Sequence, residues 1–555
     1  MIWLEGDGDS IFLQRDEVFP FASKASWVIQ GVGKRRNEES LSLFNILKYK
    51  SKIFFPSLAN LIFLFLFLSL SLSRGGFLLS DADTGWHIRA GEFILATFSV
   101  PKHDIFSFIT PPPHWINHQW LSEVIMAFVH QSWGLTGIVI FFSLLISLSY
   151  SILFKLMQNE RGNIFLVVFM ILLTIASSIF HWLARPHIFS LLLFVTSYYL
   201  LERFQSGHIR ALYFFPPLIL FWVNLHGGFI SGLILMLIYL VGNLVKFVLS
   251  RDENRGLCRQ KTKALTLTLS ACLFVSLVNP YGLDAVLYPM KLISQKLIMD
   301  RMAEFQSPNF HHLLLLPSKY FLLLMILVIG ISKKNLSVIE ILLIMVFVNM
   351  ALFSQRFIPL FCIVAAPILI KNTQWIFNQT KNRFVDIFQK KSKDISLMDA
   401  SGSGYLWLVV GILIVTLALA TNRIEYKFDE TRKPVEAVNF LKKVSLKGNM
   451  FNDDEFGDYI IYSVHPQYKV FIDSRVDMYG EDHFKDYLTM LYLKPGWENI
   501  IEKYNINWMI LDSDSIFSRH LMGRNDWKLI YSDKVANIFV RNTSQNQDVP
   551  QPKGH

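Results

Sequence analysis

The stretch Ser80-Asp81-Ala82-Asp83-Thr84-Gly85-Trp86-His87-Ile88-Arg89-Ala90-Gly91-Glu92 places two carboxylates, an imidazole and a guanidinium close together in the chain. Two carboxylates at i and i+2 on a non-helical turn can share a divalent cation or take a hydroxyl proton. His87 and Arg89 follow within reach of them. The structural alternative is helix capping, since Asp83 is a good N-cap for a helix that starts at Thr84. Capping needs one Asp, however, and not two with His and Arg beside them. The chemical reading is therefore preferred, with Asp83 as first choice for the essential carboxylate and Asp81 as second. The amides at the start of the following helix are expected to hold Asp83 ionised and oriented.

Further polar clusters recur at the ends of apolar runs. They are Asn117-His118-Gln119-Trp120 with Glu123, Ala184-Arg185-Pro186-His187, Asn224-Leu225-His226-Gly227-Gly228, Asn279-Pro280-Tyr281-Gly282 and Gln355-Arg356. An Arg at membrane depth is costly and usually faces a partner or an anion. Arg185 and Arg356 are placed to hold a lipid-linked phosphate, although snorkelling to headgroups explains Arg356 nearly as well. The tail carries Asn452–Tyr459, rich in carboxylates, and Phe471-Ile472-Asp473-Ser474-Arg475-Val476-Asp477-Met478-Tyr479-Gly480. Asp473, Arg475 and Asp477 follow an expected strand, where α/β folds often place ligand contacts, but a loop ion pair is the favoured reading there. No Gly-rich phosphate loop, Ser–His–Asp signature or zinc-binding helix is present.

The elements that must position these groups follow from composition. The chain has 555 residues, 52% hydrophobic and only 17% charged, with a mean hydropathy of +0.37. A soluble domain carries about 25% charged residues, so this composition excludes a soluble enzyme, a disordered chain and a fibrous protein. It also argues against nucleic acid as the reason for the +10 net charge, because basic residues in a membrane protein mark its cytoplasmic loops. Apolar runs long enough to approach a bilayer crossing lie at 53–73, 133–156, 163–180, 187–202, 211–225, 228–248, 264–279, 319–332, 337–354, 357–370 and 404–420, about eleven spans. The basic-rich segments Arg15–Lys52, Lys246–Lys263 and Lys371–Lys393 fall on one side when the N-terminus is cytoplasmic. The tail from Thr421 on, with 18 basic and 20 acidic residues, then lies outside. Of the 15 His, only His208 falls inside, and imidazole suits acid–base, metal or phosphate chemistry. Cys258, Cys272 and Cys362 form no disulfide framework or cysteine-rich metal site.

The expected architecture is a mainly α polytopic membrane bundle with a C-terminal extracytoplasmic α/β domain. Its parts are a cytoplasmic segment 1–52, a bundle 53–420 with a long first outer loop 74–132, the α/β domain 421–545 and a disordered tail 546–555. Trp86–Leu95 and Trp120–Val129 read as helices lying on the membrane surface. In the tail, Pro434–Val444, Glu481–Leu493 and Trp497–Tyr504 read as helices, and Tyr468–Asp473, Trp508–Asp512 and Val535–Val540 as strands.

This layout resembles the GT-C glycosyltransferase superfamily, multi-span enzymes with an acidic motif and surface helices in the first outer loop and often a soluble outer domain. More closely, it resembles a group of bacterial membrane proteins that share an Asp-Thr-Trp-Trp-His-x-Arg-x-Gly-Glu-like stretch, an Ala-Arg-Pro segment, an Asn-x-His-Gly-Gly turn and an Ile-Asp-x-Arg-x-Asp-x-Tyr-Gly tail. Asp83–Glu92 fits with Gly85 in place of the first Trp, as do Ala184–Pro186, Asn224–Gly228 and Ile472–Gly480. The resemblance implies inner-membrane localisation and an inverting transfer of a sugar from a polyprenyl-phosphate donor to a glycan, lipid or protein acceptor on the extracytoplasmic face. Asp83 or Asp81 would take the acceptor proton or hold a divalent cation; members of the superfamily differ in needing a metal. His87, Arg89, His118, Arg185, His187, Asn224, His226 and Arg356 would bind the donor phosphate or substrate. Two rivals are a transporter, which needs polar groups near the bilayer midplane and related halves, and a non-catalytic assembly protein. The spans here are nearly charge-free at mid-depth, the halves show no repeat, and eleven spans exceed what an anchor needs.

Overall fold

The computed structural model describes residues 54–542 apart from 82, 160–161, 250–254 and 402–403; the expected segments 1–52 and 546–555 lie outside the described residues. The apolar part folds as α1 (Leu58–Ser69), α2 (Asp83–Thr97), α3 (Trp120–Asn159), α4 (Ile164–Ser178), α5 (His187–Gln205), α6 (Phe215–Leu225), α7 (Phe229–Leu249) and α8 (Arg255–Val275). It continues as α9 (Leu283–Ser294), α10 (Lys296–Arg301), α11 (Leu316–Ile331), α12 (Val338–Phe353), α13 (Ile358–Gln379), α14 (Arg383–Ser401) and α15 (Tyr405–Ala420). Local sequence explains several boundaries. Ser337 and Glu340 close a reciprocal capping box at the start of α12, and Pro at the first turns of α6, α11 and α13 fits where the backbone N–H has no intrahelical partner.

Each of the eleven expected spans falls on a helix, but among the described residues six helices are long and apolar enough to cross a bilayer, and three more are apolar and shorter. The shortfall from eleven has a chemical reason. The last turns of α5 carry Glu202 and Arg203, and the first turns of α8 carry Arg255, Arg259, Lys261 and Lys263, which shortens the apolar part of each. The helix surfaces carry exposed Phe65, Phe169, Leu323, Met345 and Leu417, a distribution that suits lipid rather than water.

The helices expected at Trp86–Leu95 and Trp120–Val129 are both formed, within α2 and at the start of α3. The turn after α1 leads into α2, whose residues from Asp83 to Ile88 are all buried. A Cβ at Gly91 would come 1.9 Å from the Glu123 carbonyl oxygen, so only glycine lets α2 lie this close to α3. Helix α3 includes the expected Trp120–Val129 helix and the second span, joined through Gly134 at φ 60° and ψ −158°, a conformation that favours glycine.

The tail folds as α16 (Val435–Leu441), β1 (Asn449–Asn452), α17 (Asp454–Val464), α18 (Val476–Tyr479), α19 (Glu481–Leu491), α20 (Trp497–Lys503), β2 (Ile506–Asp512), α21 (Ile516–Met522), β3 (Trp527–Ser532) and β4 (Ala536–Arg541). The sheet order is β1-β2-β4-β3. β1 and β2 are parallel, and the other pairs are antiparallel. The expected helices and the strands at Trp508–Asp512 and Val535–Val540 coincide with α16, α19, α20, β2 and β4. The strand expected at Tyr468–Asp473 is not formed. Its backbone is captured by side chains instead: the Phe471 amide donates to Asn452 Oδ1 at 2.8 Å, and Asn452 Nδ2 donates to the Ile472 carbonyl at 2.8 Å. Val470 forms an isolated parallel bridge with Ser107 of the segment between α2 and α3. Leu441, Trp508 and Ile538 of the tail belong to the same buried core as Phe142 and Phe194 of the bundle, so the tail packs on the bundle rather than hanging from it.

Candidate functional site

A cavity of about 380 Å³ opens where α2, the start of α3, the α4–α5 and α6–α7 turns, α9–α10 and residues 474–478 of the tail converge. Asp83, at the first position of α2, is buried. Asp81 makes the cap: its Oδ1 accepts from the Asp83 amide at 3.1 Å. This frees the Asp83 carboxylate from the capping role that sequence alone allowed it. Arg185, set after α4 by Ala184-Arg185-Pro186, reaches both acids. Its Nη1 lies 2.7 Å from Asp81 Oδ2 and its Nη2 lies 2.5 Å from Asp83 Oδ2.

The two carboxyls respond differently to this shared cation. Burial pushes Asp83 up to about 7; Arg185 opposes this, and the charge on Asp81 adds to it. Burial works in the same direction at Asp81, but there Arg185 and the Asp83 amide prevail and hold it below its ordinary value. The expectation that helix amides keep Asp83 ionised is thus replaced by a carboxyl poised near neutrality. Behind it, burial and the negative charge of Asp83 raise Asp458 of α17 well above its usual range. Asp458 accepts from Ser474 Oγ at 3.0 Å, which in turn accepts from Trp86 Nε1 at 3.0 Å.

His87 stands one helical turn after Asp83, on the same face of α2. Its Nδ1 is 3.2 Å from Glu123 Oε1, and Asn117 Nδ2 donates to Glu123 Oε2 at 2.6 Å. Burial holds the His87 imidazole well below its ordinary value, the Arg185 charge adding to the effect, so it is neutral at pH 7. With Nδ1 directed at Glu123, Nε2 is its remaining polar atom. His226 is fixed as firmly. Its Nδ1 accepts from the Gly228 amide at 3.0 Å and from Ser190 Oγ at 2.7 Å, while Trp222 Nε1 donates to Ser190 Oγ at 2.7 Å. A neutral His226 therefore carries its proton on Nε2. A Cβ at residue 228 would lie 2.4 Å from Ser190 Oγ, which explains the second glycine of Asn224–Gly228 better than a tight turn alone. His118 stacks on Tyr288 at a ring separation of 4.3 Å, and Tyr288 donates to Asp477.

Asp83, His87, His118, Arg185, His187, His226 and Arg356 line the cavity, although they are scattered over the sequence. Asp81 contacts Arg185 from outside the lining. Arg89 points away: its Nε donates to the Tyr462 carbonyl at 2.7 Å and its Nη1 to Glu92 at 2.6 Å. Asn224 also serves the framework, accepting from Trp120 Nε1 at 2.9 Å and donating to the Leu220 and Val278 carbonyls. Sequence reasoning missed Glu304, Tyr288, Ser474 and Asp477 as cavity residues; Asp477 stood in the quoted tail run, whereas Glu304 and Tyr288 sit in no recognisable motif.

Arg475 is more than a loop ion pair. It holds Asp473 bidentately, Nε to Oδ1 at 2.8 Å and Nη2 to Oδ2 at 2.6 Å, and reaches Asp104 of the segment between α2 and α3 at 2.8 Å. Trp115, Phe106 and Trp86 surround its guanidinium at 4.5, 4.9 and 5.5 Å from their ring centroids. It thereby clamps the tail onto the loop that carries Asp83.

A divalent cation does not fit this arrangement. Arg185 stands where a cation shared by Asp81 and Asp83 would stand, and among the described residues no group of three or more His, Cys, Asp or Glu is placed to hold a metal.

The fold sets the acidic turn before α2 against a cavity that residues of the C-terminal α/β module also line. Among solved structures, the chain is similar to the oligosaccharyltransferase of Archaeoglobus fulgidus in its apo form, with a TM-score of 0.51 and 11% identity over 88% of this chain and 74% of that one. It is equally similar, with the same scores and coverage, to AglB from that organism, solved in complex with an inhibitory peptide and a dolichol-phosphate. No protein-family model and no curated protein sequence matches the chain.

Proposed function

We propose that this multi-pass membrane protein is a glycosyltransferase that moves a sugar from a polyprenyl-phosphate donor to an acceptor hydroxyl at the extracytoplasmic face of a bacterial inner membrane. The observation that carries the reading is the Asp83–Arg185 pair in a cavity with an apolar flank of Ile230, Ile234, Met290, Ile293, Met350 and Leu360. A lipid chain fits the apolar flank and its phosphate the guanidinium end. The archaeal structure solved with dolichol-phosphate supports a lipid-linked donor.

In the proposed reaction, Asp83 as carboxylate accepts the acceptor proton while the acceptor oxygen attacks the anomeric carbon. The bond from that carbon to the donor phosphate breaks, and Arg185 and Arg356 stabilise the leaving phosphate. A carboxyl raised to about 7 suits a base that is partly deprotonated at neutral pH and accepts a proton more readily than an ordinary carboxylate. His226 and His118 are set to position sugar or acceptor hydroxyls. The test is transfer of labelled sugar from a polyprenyl-phosphate donor by purified protein in detergent or liposomes. Accumulation of the free polyprenyl phosphate with glycosylated product supports the reading; a protein that binds the donor and never turns it over overturns it.

A further inference from the structure

Glu304 lies between the two guanidiniums assigned to the donor phosphate. Its Oε2 is 3.8 Å from Arg185 Nη1 and its Oε1 is 3.8 Å from Arg356 Nη1. One oxygen of a single planar group thus addresses each arginine. Both contacts are at the long end for an ion pair, unlike the 2.5 and 2.7 Å contacts of Arg185 with the aspartates. Arg185 already pairs with Asp81 and Asp83, and Glu304 is the carboxylate that stands between it and Arg356. An incoming phosphate that bridges the two arginines therefore competes with the Glu304 charge for that place.

The backbone around Glu304 is pinned independently of its side chain. Ser354 Oγ donates to the Glu304 carbonyl at 2.9 Å, the Gln355 amide donates to the Gln306 carbonyl at 2.9 Å, and Gln355 Nε2 donates to the Ala303 carbonyl at 2.5 Å. Arg356 is held by a second surface as well, the Phe305 ring, 4.6 Å from its guanidinium carbon. The Glu304 carboxylate can leave by side-chain rotation alone, and Arg356 then keeps its place on Phe305.

We propose that Glu304 is an exchangeable counter-ion that holds the place of one phosphate group between Arg185 and Arg356, and that the lipid-linked phosphate binds by displacing it. The inference rests on the donor reading above and adds to it that a single phosphate bridges both arginines. Until that phosphate arrives, Glu304 gives Arg356 a carboxylate partner and Arg185 a third one beside Asp81 and Asp83.

The test compares binding of polyprenyl phosphate and neutral polyprenol to wild type, Glu304→Gln and Glu304→Asp in detergent, with thermal melts of each protein with and without ligand. Glu304→Gln removes the competing charge and keeps the shape, so the phosphate is expected to bind roughly tenfold tighter. Its ligand-free form should melt lower than wild type, and its stabilisation by phosphate should exceed that of wild type. Glu304→Asp keeps the charge and should gain no such affinity. Equal or weaker phosphate binding by Glu304→Gln, with wild type still preferring phosphate over polyprenol, overturns the counter-ion role and leaves the donor site standing. A wild type that does not distinguish phosphate from polyprenol removes the donor reading and this inference with it.

Discussion

Arg185 Nη2 lies 2.5 Å from Asp83 Oδ2, although the two residues come from separate motifs on either side of α3 and α4. One cation thereby sets the orientation of the proposed base and faces the proposed leaving group. Asp83→Asn keeps the size of the side chain, and the turn before α2 is capped by Asp81 rather than by Asp83. Expression and melting temperature should therefore stay near wild type while transfer falls by a factor of roughly 10²–10⁴. Undiminished transfer of labelled sugar by the Asn variant would show that Asp83 serves the fold alone.

The pH dependence should follow the same carboxyl. Because burial lifts Asp83 to about 7, kcat/KM should rise with pH through that value as the base deprotonates. Asp81 adds negative charge next to Asp83, which raises it further. Asp81→Asn should consequently move the acid limb of the profile to lower pH, and a limb that stays or moves up would place the titration on another group. By linkage, a raised carboxyl favours the folded protein when protonated. The Asp83 contribution to stability is fully present below its ordinary value of 3.8 and is lost as pH rises through about 7.

Replacing Arg475 should loosen the tail from the segment between α2 and α3. Arg475→Ala leaves Asp473 and Asp104 buried without their cation, a loss of roughly 3–5 kcal/mol for a broken buried pair. Arg475→Lys should recover little, because an ammonium cannot make the bidentate contact or stack in the Trp86–Phe106–Trp115 cage. Thermal melting and limited proteolysis of the tail measure both variants. A wild-type melt for Arg475→Ala would mean the clamp contributes nothing.

Topology supplies a separate check. In a background without Cys258, Cys272 and Cys362, a cysteine at Asp514 of the exposed tail should react with a membrane-impermeant reagent applied from outside, and one at Arg255 should not. The opposite labelling would put the cavity on the cytoplasmic side and rule out an extracytoplasmic reaction.

By itself the sequence determined the elements and the chemical inventory. Apolar runs located the helices of the bundle because a residue's transfer into an apolar environment depends mostly on its own side chain. The short polar motifs at helix ends contained the seven predicted site residues that line the cavity, because polar groups near a membrane are confined to such ends. Tertiary structure decided everything that depends on which end meets which. The chain ranks Asp83 before Asp81 only by its place at the start of a helix. Only the approach of Arg185 and the burial of α2 under α17 make one low and the other poised near 7. Arg89 and Asn224 belong to the same motifs as their neighbours, yet side-chain direction turns them into framework. Tyr468–Asp473 has the residues of a strand, but Asn452 supplies its hydrogen bonds first. Glu304 belongs to no motif and became visible only where the fold set it between two arginines. The physical reason is common to these cases. Charge, burial and hydrogen-bond competition act over a few ångströms in space, and sequence spacing does not encode which distant residue will stand there.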